Sequence, residues 1–156
     1  MTGKKAVQPV LVPVDFSPHS EAALLCAIDL AKCLEQPLLV LHVVHDPGSM
    51  PGYYAKALTK KRLHRIEDAA AEMLQEFLHT VGKRHDELKK LDRVESLLVK
   101  GLPSHRILEV AEQRSASMIV LGSRGLTGMQ HLLIGSVAER IVHLAKVPVT
   151  VVKSTD

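Results

Sequence analysis

Five apolar runs of strand length punctuate the chain, and segments with helical periodicity lie between them. Val10–Val14 is β-branched and stops at Asp15. Ser17-Pro18 then reads as a helix start, with Ser at the N-cap and Pro at the first helical position. Ala22, Leu25, Cys26, Ile28 and Leu30 carry that helix to Leu34, where Pro37 is expected to break it. Leu38–Val44 is a second fully apolar run, closed by the turn signal His45-Asp46-Pro47-Gly48. After the loop Pro47–Gly52, the spacing of Leu63, Ile66, Ala70, Met73 and Phe77 predicts a long helix from about Tyr53 to His85. Val94–Val99 reads as a third strand, Pro103-Ser104 opens a helix, and Met118–Leu121 is a short fourth strand running into Gly122. A helix over Ser136–Ala145 and a last strand over Val147–Val152 complete the pattern. Continuous apolar strands alternating with amphipathic helices predict an α/β domain whose parallel sheet is covered on both faces. Right-handed crossovers narrow this to a three-layer, doubly wound sheet. No internal repeat or linker divides residues 1–156, so one domain is expected.

Pro13 sits awkwardly in that scheme. A proline in a central strand removes a ladder hydrogen bond. The expected resolution is that the first strand has stopped pairing on one side by Pro13, leaving Pro13-Val14-Asp15 to line a crevice. In open α/β sheets ligands bind beyond the carboxyl ends of the strands, where strand order reverses. Gly122-Ser123-Arg124-Gly125 follows the fourth strand, and Gly135-Ser136 opens the last helix ten positions later. Glycines let backbone N–H groups approach phosphate oxygens, and a helix N-terminus adds unpaired N–H groups and about half a positive charge. Two readings stand at this point: a two-sided phosphate cradle, or a plain turn plus a Ser136-x-x-Glu139 capping box. Asp15 likewise reads either as a ribose acceptor or as an Asx turn feeding the Ser17 cap.

Composition prunes the alternatives. Trp is absent and aromatics are 3% of the chain, which argues against a stacking platform for single-stranded nucleic acid. A net charge of +3 with scattered Lys and Arg reads as a solvated surface, so no nucleic-acid partner is expected. No apolar run reaches the roughly 18 residues of a membrane helix and no signal stretch opens the chain, which predicts a cytoplasmic protein. Cys26 and Cys33 are seven apart on one helix, about 10 Å along its axis, too far for a disulfide. They read as small buried hydrophobes. There is no G-x-x-x-x-G-K-[ST], no G-x-G-x-x-G after the first strand and no G-x-S-x-G. His42 and His45, three apart at a strand end, should face different ways, so no metal site is expected.

The residues quoted above resemble the universal stress protein family in its ATP-binding branch. That family's motif is Gly, two residues, Gly, nine residues, Gly, then Ser or Thr. Gly122, Gly125, Gly135 and Ser136 match it at every spacing. Val10-Leu11-Val12-Pro13-Val14-Asp15-Phe16-Ser17, Leu41-His42-Val43 and Val147-Pro148-Val149 match other family segments. The resemblance implies a Rossmann-like fold of the adenine nucleotide alpha hydrolase-like type, with five parallel strands in the order 3-2-1-4-5. It implies that Asp15 holds the ribose, that Pro13 and Val14 line the adenine side, and that Val43 contacts adenine through its backbone. Leu121 and Gly122 would flank ribose and phosphates, while Gly125, Gly135, Ser136 and Val137 would hold the phosphates. Ser123 and Arg124 lie inside the motif. The implied ligand is ATP, or AMP or ADP, with Mg²⁺ as a companion of the phosphates. The family also implies a homodimer through Val147–Val152. Where the family often carries Asp before the fourth strand, this chain has Ser117, a position expected not to touch ligand.

Three functions follow from this reading. The first is a non-catalytic, dimeric adenine-nucleotide sensor or regulator in the stress response, since no general base with a positioned partner is visible. The second is a slow ATPase or phosphotransferase recruiting Asp15, His131 or His19. The third is an interaction module that ignores nucleotide.

Overall fold

A computed structural model of the chain describes residues 7–45, 66–126 and 133–154. In chain order the elements are β1 (Val10–Pro13), α1 (Pro18–Leu34), β2 (Leu38–Val44), α2 (Ile66–Arg84), a 3₁₀ turn (Asp86–Lys90), β3 (Val94–Lys100), α3 (Pro103–Gln113), β4 (Met118–Gly122), α4 (Ser136–Leu144) and β5 (Val149–Val152). All strand pairs are parallel, in the order β3-β2-β1-β4-β5. That is the predicted topology. The predicted start of the long helix at Tyr53, the loop Pro47–Gly52 and His131 lie outside the described residues.

Side chains on successive strand residues point to opposite faces, and this sheet buries both. Val10, Val12, Leu38, Val40 and Val120 pack with Ala23, Leu24, Ala27 and Ile28 of α1 and Leu74 and Val81 of α2. Leu11, Leu39, Leu41, Ile119 and Leu121 pack on the other face with Ile107 and Val110 of α3 and Ala138 and Ile141 of α4. Three layers result, with α1 and α2 on one side and α3 and α4 on the other. The edge strands β3 and β5 are only partly buried, so the continuous-run signature holds in full for the inner strands alone.

The helix termini largely obey their sequence signals. Ser17 caps α1: its Oγ accepts the Ser20 N–H at 3.1 Å, and Pro18 fills the first helical position. Glu35, in the left-handed region at φ 53°, ends α1 before Pro37 is reached. Of the two readings of the Gly135-Ser136 segment, the capping box fails. Ser136 is not the N-cap of α4; Gly135 is, with no side-chain cap, and Glu139 N–H returns to the Gly135 carbonyl at 2.9 Å. Ser136 is already helical, so no capping box forms. Cys33 is exposed and Cys26 partly buried, so the pair does not serve the core as expected, and both are free thiols. Cys33 lies on the solvent side of an amphipathic helix, where its apolar character decides nothing.

Gly122 is fixed by packing. A Cβ placed on it would stand 2.8 Å from both the carbonyl carbon and the oxygen of His19, in the first turn of α1. Backbone cannot retreat as a flexible side chain can, so only glycine lets α1 lie this close to the end of β4. Gly122→Ala is expected to lower the stability of ligand-free protein by about 1–3 kcal/mol, the usual cost of overpacking. Urea unfolding checks this; an unchanged midpoint would show that α1 shifts freely.

Candidate functional site

The site begins where β1 leaves its neighbour. Val10 and Leu11 pair with Met118 and Ile119 of β4, and the ladder goes no further. On the other side β1 stays paired with β2 through Pro13–Leu41, and Val14 N–H still donates to the Leu41 carbonyl at 2.8 Å. The missing N–H of Pro13 therefore falls on the unpaired side, which resolves the awkward proline as expected. Beyond Leu11 a crevice opens between β1 and β4, at the point where strand order reverses.

Each predicted site residue lies at this carboxyl end. Pro13 ends β1, Val14 and Asp15 follow it, and Val43 lies near the end of β2. Leu121 and Gly122 end β4, and Ser123, Arg124 and Gly125 follow. Gly135, Ser136 and Val137 form the start of α4. Two hydrogen bonds draw these segments together. Ser123 N–H donates to the Val152 carbonyl at 2.8 Å, and Gly135 N–H donates to the Ser123 carbonyl at 2.7 Å. The helix start is thus folded back onto the glycine turn. Because the first α4 hydrogen bond comes from Glu139, the preceding N–H groups of Ser136, Val137 and Ala138 have no partner within the helix. Ser136 and Val137 are exposed.

Asp15 spans the crevice. One carboxylate oxygen accepts the Ser17 N–H at 3.1 Å, which is the anticipated Asx turn. The other accepts the Leu126 N–H at 3.0 Å, on the far side. A Cβ on Gly125 would come within 2.5 Å of that oxygen, so Gly125 is glycine because Asp15 reaches across it. Asp15 thereby ties the β1–α1 turn to the glycine segment.

His42 does work that spacing alone did not reveal. It is buried, and its Nδ1–H donates to the Val14 carbonyl at 2.8 Å, which fixes the tautomer, since a carbonyl only accepts. The Phe16 ring stacks on it, with centroids 4.3 Å apart and planes inclined by 28°, and Phe77 packs against Phe16 in turn. Phe16 occupies the left-handed region at φ 68°, a strained backbone for a bulky residue. Its ring contacts hold that strain in place and so set where Asp15 points. The only sequence signal was a histidine inside an otherwise apolar run. Ser117, at the opposite end of the sheet, donates its N–H to the Pro9 carbonyl at 2.9 Å and stays clear of the crevice.

A cavity of about 490 Å³ adjoins this apparatus, lined by the first turn of α1 (Ser17, Pro18, His19), by Ser123–Leu126, and by Leu133, Lys153 and Ser154. It takes in Ser123, Arg124 and Gly125 of the predicted site. Pro13, Val14, Asp15, Val43 and Ser136 do not line it. The predicted site residues therefore divide between the crevice and this neighbouring cavity. Among the described residues no three His, Cys, Asp or Glu side chains converge as a metal site, and no helix is long and apolar enough to cross a membrane.

An open parallel sheet of order 3-2-1-4-5 with a glycine segment at its switch point defines a doubly wound, Rossmann-like domain. The model of the universal stress protein family matches residues 6–153, and the chain belongs to that family. Universal stress protein MJ0531 of Methanocaldococcus jannaschii is 32% identical over 151 residues, 97% of this chain and 85% of that protein. Among solved structures, the universal stress protein from Archaeoglobus fulgidus in complex with dAMP superposes with a TM-score of 0.63. It is 24% identical, with 97% of this chain and 100% of that one covered. A universal stress protein in complex with cAMP gives a TM-score of 0.63 at 23% identity, covering 96% and 98%. At these identities the superpositions speak for the fold.

Burial lowers the His42 pKa below its ordinary 6.5, against the opposing pull of the Val14 carbonyl and Asp15. The unfolded chain then binds a proton before the folded one does. The stability from this group is complete above pH 6.5 and is lost as pH falls toward the folded-state value. Thermal melts from pH 8 to pH 5 should show an acid-side decline that His42→Gln flattens. An identical slope in both proteins would assign the decline to other groups.

Proposed function

We propose that this protein binds an adenine nucleotide in the crevice between β1 and the glycine segment, and acts as a non-catalytic sensor or regulator. The observation that carries this is the Gly135–Ser123 hydrogen bond. It brings the unpaired N–H groups at the start of α4 beside a turn whose glycines leave backbone accessible, a combination suited to phosphate. The dAMP and cAMP complexes of its structural relatives support an adenine ligand. In this reading the phosphates lie on Gly125, Gly135, Ser136 and Val137, and the ribose reaches Asp15. Pro13, Val14, Val43 and Leu121 form the apolar wall for the base. At Gly135, among the described residues, an added Cβ would meet only ordinary contacts, 3.4 Å from the Ser123 carbonyl oxygen and 3.6 Å from Arg124 Cα. Packing against those residues does not require glycine here, which leaves room for a phosphate in this reading. ATP is the preferred ligand because its phosphates engage the most donors. Mg²⁺ would be held mainly through those phosphates.

The reading includes a cytoplasmic homodimer. β5 is an edge strand of apolar and β-branched residues, Val149-Thr150-Val151-Val152, without charge or proline. Such an edge offers backbone groups for pairing with a second copy.

Titration calorimetry of nucleotide-stripped protein with ATP, ADP and AMP tests the binding. Micromolar to millimolar affinity is expected. Gly135→Val should weaken it by at least about tenfold, through a branched side chain at the phosphate position, and keep a cooperative melt. Absence of heat with all three nucleotides would sink the reading, and full affinity in Gly135→Val would move the phosphates elsewhere.

A further inference from the structure

We propose that His42 is a positioning residue that links the nucleotide crevice to protonation, holding the β1–α1 turn in its binding conformation only while the ring is neutral. This inference rests on the adenine-nucleotide reading and adds a form of regulation to it. His42 is 2% exposed and lies beneath the turn that carries Val14 and Asp15, the residues assigned to the base and the ribose. Three contacts define its place. Its Nδ1–H donates to the Val14 carbonyl at 2.8 Å, the Phe16 ring stacks on it at 4.3 Å, and Phe77 of α2 backs Phe16 at 5.6 Å. Phe16 stands at φ 68°, a conformation that persists only where the surroundings enforce it. The next residue, Ser17, is tied back to Asp15 by its N–H. Asp15 in turn accepts the Leu126 N–H of the glycine segment. The His42 ring thus supports a strained turn, and the turn supports the carboxylate.

Nδ1 already carries a proton, so a second proton must go to Nε2 and leave the ring with a full charge. A buried charge is costly unless it is paired. Asp15 is the charged group that acts on His42 across this packing, and it favours protonation, but the loss of solvent outweighs it. Among the described residues the other elements around the ring bring little charge to it. On α2, Glu67 pairs with Lys100 of β3, while Asp68, Glu72, Glu76 and His79 are exposed. On β3, Leu98 lies opposite His42 in the ladder. On α1, His19 stands against Gly122 of β4, and Glu21 pairs with Arg84 of α2. On β2 itself, His45 follows the end of the strand. Opening the turn hydrates the protonated ring, relaxes Phe16 and lets Asp15 leave the crevice. The closed turn therefore binds fewer protons than the open one below pH 6.5. A nucleotide that selects the closed turn must displace a proton there, so affinity falls as pH falls.

AMP is the probe, titrated by calorimetry into full-length, nucleotide-stripped protein from pH 7.5 to pH 5.5, with wild type compared with His42→Asn and His42→Gln. Both variants keep an amide donor and cannot titrate, and the phosphate of AMP titrates alike with all three proteins. Wild-type affinity should fall by at least about fivefold more than that of either variant over this range, within the roughly tenfold per pH unit that a single proton allows. A merely structural histidine would lower affinity by the same factor at every pH in its variants and leave the slope unchanged. Should both variants fail to fold, hydrogen exchange of the Ser17 amide in ligand-free wild type decides. Its protection relative to the intrinsic rate should drop by at least about fivefold on acidification and recover with saturating AMP. Equal pH slopes in wild type and variants, or constant Ser17 protection, would overturn the proposal and leave nucleotide binding standing. No binding at pH 7.5 would overturn the nucleotide reading itself, and this proposal with it.

Discussion

Everything at the carboxyl end of the sheet depends on β1 parting from β4 after Leu11 while remaining paired with β2 through Pro13. A sheet paired to its end on both sides would present a closed edge there. Proline enforces the opening, because it has no N–H to offer the β4 side. The chain then turns through a strained Phe16, and His42 and Phe77 hold that turn by a carbonyl hydrogen bond and ring contacts. Burial supplies the rigidity: His42 lies beneath the turn and is neutral, so no charge has to be solvated in the core. The fold thus spends one strained residue to aim Asp15 across the crevice.

The glycines of the motif are not interchangeable once their neighbours are known. Gly122 is required by the His19 backbone, and Gly125 by the Asp15 carboxylate. Either would be glycine in a protein that never met a nucleotide. Gly135 differs, because among the described residues a Cβ there meets only ordinary contacts. Packing against those residues does not account for its smallness, so the proposed phosphate reading rests on it more than on the other two. A motif defined by spacing mixes positions held by the architecture with positions held by the ligand, and contact distances separate them.

The inner fold was legible because Val10–Val14, Leu38–Val44 and Met118–Leu121 are apolar without interruption, and each is followed by punctuation. Pro13 even foretold that β1 stops pairing on one side. What escaped depends on contacts between distant segments. The 3₁₀ turn Asp86–Lys90 has no periodicity of its own. Ser136-x-x-Glu139 satisfies the pattern of a capping box, yet the first turn closes on the Gly135 carbonyl, a matter of backbone angle that sequence does not encode locally. His42 offered no spacing signal, since its partners Val14 and Phe16 arrive from the turn between β1 and α1. The cavity draws on α1, the glycine segment and the residues after β5, three regions more than a hundred residues apart at the extremes.

Asp15 bears on how such a site would divide its labour. Its oxygens already accept the Ser17 and Leu126 N–H groups. A ribose hydroxyl reaching the carboxylate would join these bonds, since an ionised carboxylate has about four acceptor sites. It would give up a hydrogen bond to water in doing so, and such exchanges contribute modestly to net free energy. The unpaired N–H groups at the start of α4 are in a different position. They have no partner within the helix to give up, and an anion there meets the helix dipole as well. Affinity would therefore come chiefly from the phosphate end. The carboxylate would contribute selection, accepting a sugar with a hydroxyl placed to reach it while it keeps the β1–α1 turn tied to the glycine segment.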